Sequence, residues 1–262
     1  MSAPLPDLES LRRLAETAGE AIQSVRRSDW GRRLKADGTP VTEADIAAHR
    51  CLVAGLPGLL DLPVLSEEQE TTPWPVRRGW HRYWLVDPLD GTREFVDGFD
   101  DYTVNVALVE EGAVRLGVVH APARGVTWAG GAGLGAWRWE SDLCASITVN
   151  PERPPRILAS RAHLDKATRD WLADYPDSQL MRCGSSVKFC LIAEGRADLY
   201  PRFGPTCEWD TAAGQGVLEG AGGVVVSLAS GRALRYNGTE SLLNGAFVAA
   251  ADPSLIPGRG AG

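Results

Sequence analysis

The stretch Trp84-Leu85-Val86-Asp87-Pro88-Leu89-Asp90-Gly91-Thr92 is an apolar strand that ends in two carboxylates three positions apart and then opens a helix. A hard divalent cation takes oxygen ligands, and this segment offers the Asp87 and Asp90 carboxylates, the Leu89 carbonyl and the Thr92 hydroxyl. Pro88 fixes the turn, and Gly91 lets a ligand approach the backbone. With a helix starting here, the N–H groups of Gly91 and Thr92 face whatever lies beyond the strand and suit a phosphate. The plainer alternative is a strand-to-helix turn in which Asp87 or Asp90 serves only as an N-cap.

Two further acidic sites flank this one. Ser66-Glu67-Glu68 follows the apolar run Leu62 to Leu65, and Glu208-Trp209-Asp210 stands at the start of a late helix. Adjacent glutamates alone read as solvated surface. Here Glu67, Asp87, Asp90 and Asp210 all fall at strand ends or helix starts, where open sheets place their ligand clefts. Carboxylates converging without counter-charge repel by several kcal/mol at low effective dielectric, so metals have to neutralise them. Two cations about 3.5–4 Å apart can then clamp the attacking and leaving oxygens of a phosphoryl transfer.

The whole chain is compatible with such a site. Its 262 residues carry 27 Lys+Arg against 34 Asp+Glu, a net charge of −7, with 44% apolar and 23% charged residues. That composition is a folded globule's, and the acidic balance argues against binding a nucleic acid polymer, while leaving a local phosphate site open. The N-terminal segment is charged throughout and reads as an amphipathic helix, not a signal peptide, and no run approaches the ~20 apolar residues of a membrane span. The cysteines Cys51, Cys144, Cys183, Cys190 and Cys207 are scattered, odd in number and never spaced C-x-x-C. They read as packing residues of a protein in a reducing cytoplasm.

Apolar periodicity predicts a helix from about Asp7 to Arg27, and Thr42 with Asp45 three residues on starts a second, running to about Ala54. Strands follow at Pro63 to Leu65 and Tyr83 to Val86, and a hairpin at Thr103 to Val109 and Val114 to His120 continues into a strand at Gly125 to Ala129. In the second half strands alternate with helices: Arg156 to Ala159, helix His163 to Ala173, Gln179 to Arg182, helix Ser185 to Glu194, Ala197 to Tyr200. A helix from about Trp209 to Glu219 and strands at Val224 to Val226 and Ala246 to Ala250 complete an α/β alternation. The Pro-rich link Asn150 to Pro155 divides an α+β part, residues 1–150, from an α/β part, residues 151–262. Gly131-Ala132-Gly133-Leu134-Gly135-Ala136 satisfies G-x-G-x-x-A, but it lacks a crossover helix and a following acidic residue, and reads as a hairpin turn. Asp97 to Asp101 reads as a polar loop.

Ser66-Glu67-Glu68, Asp87-Pro88-Leu89-Asp90-Gly91-Thr92 and Trp209-Asp210-Thr211-Ala212-Ala213-Gly214 resemble the metal-site motifs of the inositol monophosphatase superfamily, in the family's order. Within it, Arg93-Glu94-Phe95, Tyr102 to Leu108, Gly184 to Cys190 and Ala197 to Arg202 are similar to the 3'(2'),5'-bisphosphate nucleotidase branch. The resemblance implies a layered αβαβα fold and Mg²⁺-dependent removal of the 3'-phosphate from adenosine 3',5'-bisphosphate, a reaction of sulfur assimilation. The alternatives left open are an inositol phosphate or sugar-phosphate phosphatase on the same site and, more distantly, a non-catalytic metal or nucleotide sensor.

Carried over residue by residue, the resemblance implies that Glu67, Asp87, the Leu89 carbonyl and Thr92 surround one Mg²⁺. Asp87, Asp90 and Asp210 would hold a second, and Glu67 with water a weaker third. Thr92, bonded to Asp45, would orient and deprotonate the attacking water, so that Asp45, Thr92 and Glu67 form the catalytic set. Gly91, Thr92, His163, Ser185, Lys188, Arg202 and Asp210 would face the phosphorylated small-molecule substrate. For His163 the plain alternative is a cap or surface residue, and for Lys188 and Arg202 solvated charges. Inhibition by Li⁺ and Ca²⁺ is implied as well. Oligomeric state stays open, a homodimer included.

Overall fold

A computed structural model describes residues 4–27, 32–34, 40–161 and 164–257. In chain order the elements are α1 (Leu8–Arg26), β1 (Arg32–Leu34), β2 (Pro40–Thr42), α2 (Glu43–Leu59), β3 (Val64–Ser66), α3 (Trp74–Arg77), β4 (Arg82–Asp90) and α4 (Thr92–Val96). The strands β5 (Thr103–Glu110), β6 (Ala113–Ala121), β7 (Val126–Gly131), β8 (Gly135–Glu140) and β9 (Leu143–Ser146) follow as a meander. The remainder is β10 (Arg156–Ala159), α5 (Lys166–Leu172), β11 (Gln179–Arg182), α6 (Val187–Ala193), β12 (Leu199–Arg202), α7 (Ala212–Gly220), β13 (Val224–Ser227) and β14 (Phe247–Ala250).

Strands β3 to β9 form one seven-stranded sheet in sequence order, antiparallel except for the parallel pair β3–β4. A five-stranded sheet has the order β11-β10-β12-β14-β13, with β10 parallel to β11 and β12. Three apolar clusters stack these into layers. Leu11, Ala15, Ile22 of α1 and Ala48, Leu52 of α2 cover Trp84, Val86, Val104 and Val106 on the outer face of the large sheet. On its inner face Leu85, Ala107 and Val119 meet α6 and α7, which also take Tyr200, Val225 and Phe247 of the small sheet. The outer face of the small sheet, Ile157, Leu199 and Val248, is covered by Trp171, Leu172, Leu255 and Ile256. The order helices, sheet, helices, sheet, helix is the expected αβαβα arrangement.

Local signals held well. Asp7 caps α1 by accepting from the Ser10 amide, and Thr42 and Asp45 form a reciprocal capping box on α2. That helix runs to Leu59, past the expected end at Ala54. Several expectations need correction. Ser185 is not on a helix: it precedes α6 with φ 48°, and the turn, not a shared helix face, relates it to Lys188. The Trp209 helix is broken into a 3₁₀ turn, Glu208–Asp210, and α7, so Asp210 sits before α7. Strand β9 was not foreseen, and all its residues are exposed, Cys144 included, so not every cysteine is a packing residue. The loop from Asp97 is exposed only as far as Asp100, and Asp101 is buried.

Helix α7 lies so close to β6 that a Cβ on Gly117 would stand 2.1 Å from the Ala213 carbonyl oxygen. Neither backbone can give way without moving the helix that follows Asp210. Gly117→Ala should therefore lower stability in urea by about 1–3 kcal/mol. Gly238→Ala, where a Cβ meets nothing within 4 Å, should stay within about 0.5 kcal/mol.

A second network ties α1 to the large sheet. Thr127 Oγ1 donates to Glu16 Oε1 at 2.7 Å, so it accepts from His120, whose Nδ1 lies 2.9 Å away and carries the proton. Burial lowers His120 to about 4, with the Glu16 charge opposing. The folded value lies below the ordinary 6.5, so this stabilisation is complete above pH 6.5 and fades as the pH falls through about 4, a loss of about 3 kcal/mol. His120→Gln should flatten the fall in urea stability between pH 7 and pH 4.5. An unchanged slope would assign the acid sensitivity elsewhere.

Candidate active site

Side chains along a strand alternate between faces, so Asp87 follows Tyr83 and Leu85 onto the inner face of the large sheet. Three positions on, Asp90 would face the other way. The pairing prevents this: Asp87 stands opposite Asn105 and Asp90 opposite Thr103, so β4 carries one extra residue, and this bulge brings both carboxylates to the same side. Pro88 lies within it. Gly91 then turns with φ 90° into α4, where a Cβ would stand 2.9 Å from the Asp101 carbonyl oxygen.

Beside β4, parallel β3 delivers Glu67, whose amide donates to Val86 O at 3.2 Å. From the opposite side the 3₁₀ turn brings Asp210, whose Oδ2 accepts from the Cys207 amide at 2.8 Å. Carboxylate oxygens of Glu67, Asp87 and Asp210 all lie within 4.8 Å of one another. Burial, then repulsion from Glu67, Asp90 and Asp210, pushes Asp87 well above the carboxylate range, and burial and Asp90 do the same to Asp210. Asp90 is raised to about 6 by burial, against the pull of the Lys188 ammonium. Its Oδ2 takes the Ser186 amide at 2.6 Å. An oxygen-only donor set strained by its own charge fits a hard divalent cation such as Mg²⁺.

Asp45 and Thr92 meet at the same place. Asp45 Oδ2 accepts from the Thr42 amide and hydroxyl, each at 2.7 Å, which leaves Oδ1 to accept from Thr92 Oγ1 at 3.1 Å. Thr92 Oγ1 is also 3.1 Å from the Leu89 carbonyl. Burial raises the Asp45 carboxyl, and the bonds from Thr42 and Thr92 counter it.

A cavity of about 160 Å³ adjoins the carboxylates and is lined by Asp90, Gly91, Ser185, Lys188, Arg202 and Asp210, among others. The expected substrate residues that the structure describes thus share one space, except Thr92, which stands beside Gly91. His163 lies outside the described residues. Lys188 is 5% exposed and not a free surface charge: Nζ donates to Ser185 O at 2.6 Å and sits 4.9 Å over the Tyr200 ring. Arg202 donates through Nη2 to Pro205 O, while its buried Nε has no acceptor. Glu94 and Ser160, not expected at the site, also line the cavity, whereas Arg93 is exposed and does not.

Residues 6–258 match the sequence model of the inositol monophosphatase family. The chain belongs to that family. It is 46% identical to a 3'(2'),5'-bisphosphate nucleotidase CysQ of Salmonella typhimurium over 245 residues, 92% of this chain and 98% of the relative. The CysQ of Escherichia coli K12 is likewise 46% identical over 243 residues. Among solved structures, CysQ from Bacteroides thetaiotaomicron superposes with a TM-score of 0.83 at 36% identity, covering 93% of this chain and 97% of the other. An inositol monophosphatase of Thermotoga maritima gives 0.76 at 25% identity, covering 93% and 91%. No helix among the described residues is long and apolar enough to cross a membrane.

Removing one of the mutually repelling charges should stabilise the metal-free protein. In EDTA, Asp210→Asn should resist urea better than the wild type by up to about 4 kcal/mol, the repulsion of two such charges about 4 Å apart at an effective dielectric near 20. It should also lose the stabilisation that millimolar Mg²⁺ confers on the wild type. A wild-type-like gain with Mg²⁺ would remove Asp210 from the cation site.

Proposed function

We propose that the protein is a magnesium-dependent 3'(2'),5'-bisphosphate nucleotidase that converts adenosine 3',5'-bisphosphate to AMP and phosphate in the cytoplasm. The observation that carries this reading is the polarity of a single cavity. Asp90 and Asp210 line it, Asp210 being shared with the adjoining Glu67–Asp87–Asp210 cluster, and Lys188, Arg202 and Ser185 line the same space. A substrate with two phosphates needs both: cations over the one being cleaved and basic groups for the one that stays. The 46% identity to nucleotidases over nearly the full chain supports the same substrate.

Glu67, Asp87, Asp90, Asp210 and the Leu89 carbonyl would hold two Mg²⁺ ions, with a weaker third through Glu67. Bound there, they supply charge neutralisation, polarise the phosphoryl group and lower the pKa of water. The protein's own part is proton handling. Asp45, anchored by Thr42, keeps Oδ1 for the Thr92 hydroxyl. With its proton committed to Asp45, Thr92 Oγ1 offers a lone pair to the attacking water. As the water oxygen bonds phosphorus, the bond from phosphorus to the ribose 3'-oxygen breaks. The water proton passes to Thr92 Oγ1 and the Thr92 proton to Asp45 Oδ1, and the departing 3'-oxygen takes a proton from solvent water. Across the cavity, the Arg202 guanidinium and the Ser185 hydroxyl suit the non-reacting phosphate.

Thr92→Val and Asp45→Asn should each lower kcat by about 10²–10⁴-fold. The double variant should be little worse than either, because both break one relay. Multiplicative losses in the double-mutant cycle would separate the two residues. Phosphate release from a panel of esters tests the substrate itself. Arg202→Ala and Lys188→Ala should cut kcat/KM for the bisphosphate roughly ten- to a hundredfold while barely changing inositol 1-phosphate hydrolysis. Equal losses on both substrates would favour an inositol phosphatase.

A further inference from the structure

Asp101 belongs to none of the groups given a metal, catalytic or substrate role, yet it is only 2% exposed. Its Oδ1 accepts from Arg124 Nη2, and its Oδ2 accepts from Arg161 Nη2 and from the Gly184 amide at 3.2 Å. Burial raises the carboxyl, but these bonds overcome it and hold Asp101 below the ordinary value, hence ionised. Its carbonyl oxygen is the atom against which Gly91 is packed. Three walls of the substrate cavity therefore rest on one residue: Gly91, the Ser160 end of β10 next to Arg161, and the Gly184–Ser185 turn.

That turn has reason to need an anchor. Ser185 has φ 48°, a conformation that costs a non-glycine residue about 1 kcal/mol or more. Gly184 is pressed on Glu94, where a Cβ would lie 2.8 Å from the side chain. The Ser185 carbonyl in turn receives Lys188 Nζ at 2.6 Å, so the turn determines where the ammonium stands. The proton relay and the β4 carboxylate depend on other supports, Asp45 on Thr42 and Asp87 on β4, and of the acidic groups Asp90 alone leans on the turn, through the Ser186 amide.

We propose that Asp101 is a positioning residue for the substrate cavity, holding the Gly184–Lys188 turn through the Gly184 amide and the β10 wall through Arg161, without itself touching substrate. This rests on the cavity being the substrate site. It predicts a loss in binding and not in the chemical step, because the proton relay stays in place when the turn loosens.

The test is the split between KM and kcat. Asp101→Asn keeps the shape and removes the charge, and should raise KM for the preferred phosphate ester about tenfold or more, as expected for a lost charge-assisted hydrogen bond. At saturating Mg²⁺ its kcat should stay within about threefold, small against that tenfold change. Arg161, 37% exposed in its side chain, can be changed without leaving a fully buried hole. Arg161→Gln should raise KM in the same direction, and the double variant should be less than multiplicative. A fall in kcat matching the rise in KM, or an unchanged KM in both variants, would overturn the proposal and leave Asp101 a purely structural ion-pair partner. If Asp101→Asn fails to fold, Arg161→Gln decides alone. KM is read on whichever ester the wild type turns over fastest, so a preference for some ester other than the bisphosphate would overturn the proposed substrate while the role of Asp101 is still decided.

Discussion

Carboxylates that face one another in a low-dielectric cleft repel, and the fold is built to hold them there against that repulsion. Strand β4 is buried from Tyr83 to Leu89, with one apolar cluster on each face. It cannot shift to relieve the strain at its end without uncovering both. Asp210 arrives from elsewhere, and its distance from Asp87 depends on how closely α7 approaches the sheet. That approach is set by missing side chains, since a Cβ on Gly216 would stand 2.7 Å from the Gly117 amide nitrogen. Apolar burial and glycine contacts together keep a charge cluster that is unfavourable by itself, and a cation then converts the strain into affinity.

Features decided by near neighbours were legible in the sequence. The Thr42–Asp45 box is three residues long, and the strands that end in Glu67 and Asp87 announce themselves by composition. The convergence of Glu67, Asp87 and Asp210 was legible because each carboxylate stands at a strand end or helix start. The bulge that turns Asp87 and Asp90 to one side was not, because it is a property of how β4 pairs with β5. The Thr92–Asp45 contact spans 47 positions and came only through the family resemblance. Asp101 was hidden for the same reason in stronger form: its partners are 23, 60 and 83 residues away, and a local reading saw only a run of polar residues.

The misplacement of Ser185 has a definite cause. The apolar run from Val187 to Ala193 is helical, and extending it back to Ser185 is what propensity favours. The amides of Gly184 and Ser186 instead go to two carboxylates, Asp101 and Asp90, which pull this segment out of the helix and into the cavity wall. Long-range ion and hydrogen-bond partners override local preference here, as sites of function often do.

Asp90 stands where the two halves of the site join. One of its oxygens is occupied by the Ser186 amide, beside the turn that carries Ser185. Burial makes its ionisation costly, and the charge that most offsets that cost is Lys188. The same ammonium lines the cavity. Without a cation, Lys188 is needed to balance Asp90, and an anion entering the cavity competes for it. With a divalent cation at Asp90, as proposed, that balance would pass to the cation and leave the Lys188 charge for a substrate anion. Coupling of this kind is reciprocal, so a bound substrate anion would tighten the cation by the same factor by which the cation tightens the substrate. Through Asp90, which meets both the Ser186 amide and the Lys188 charge, the acidic and basic sides of the cavity would then act as one thermodynamic unit.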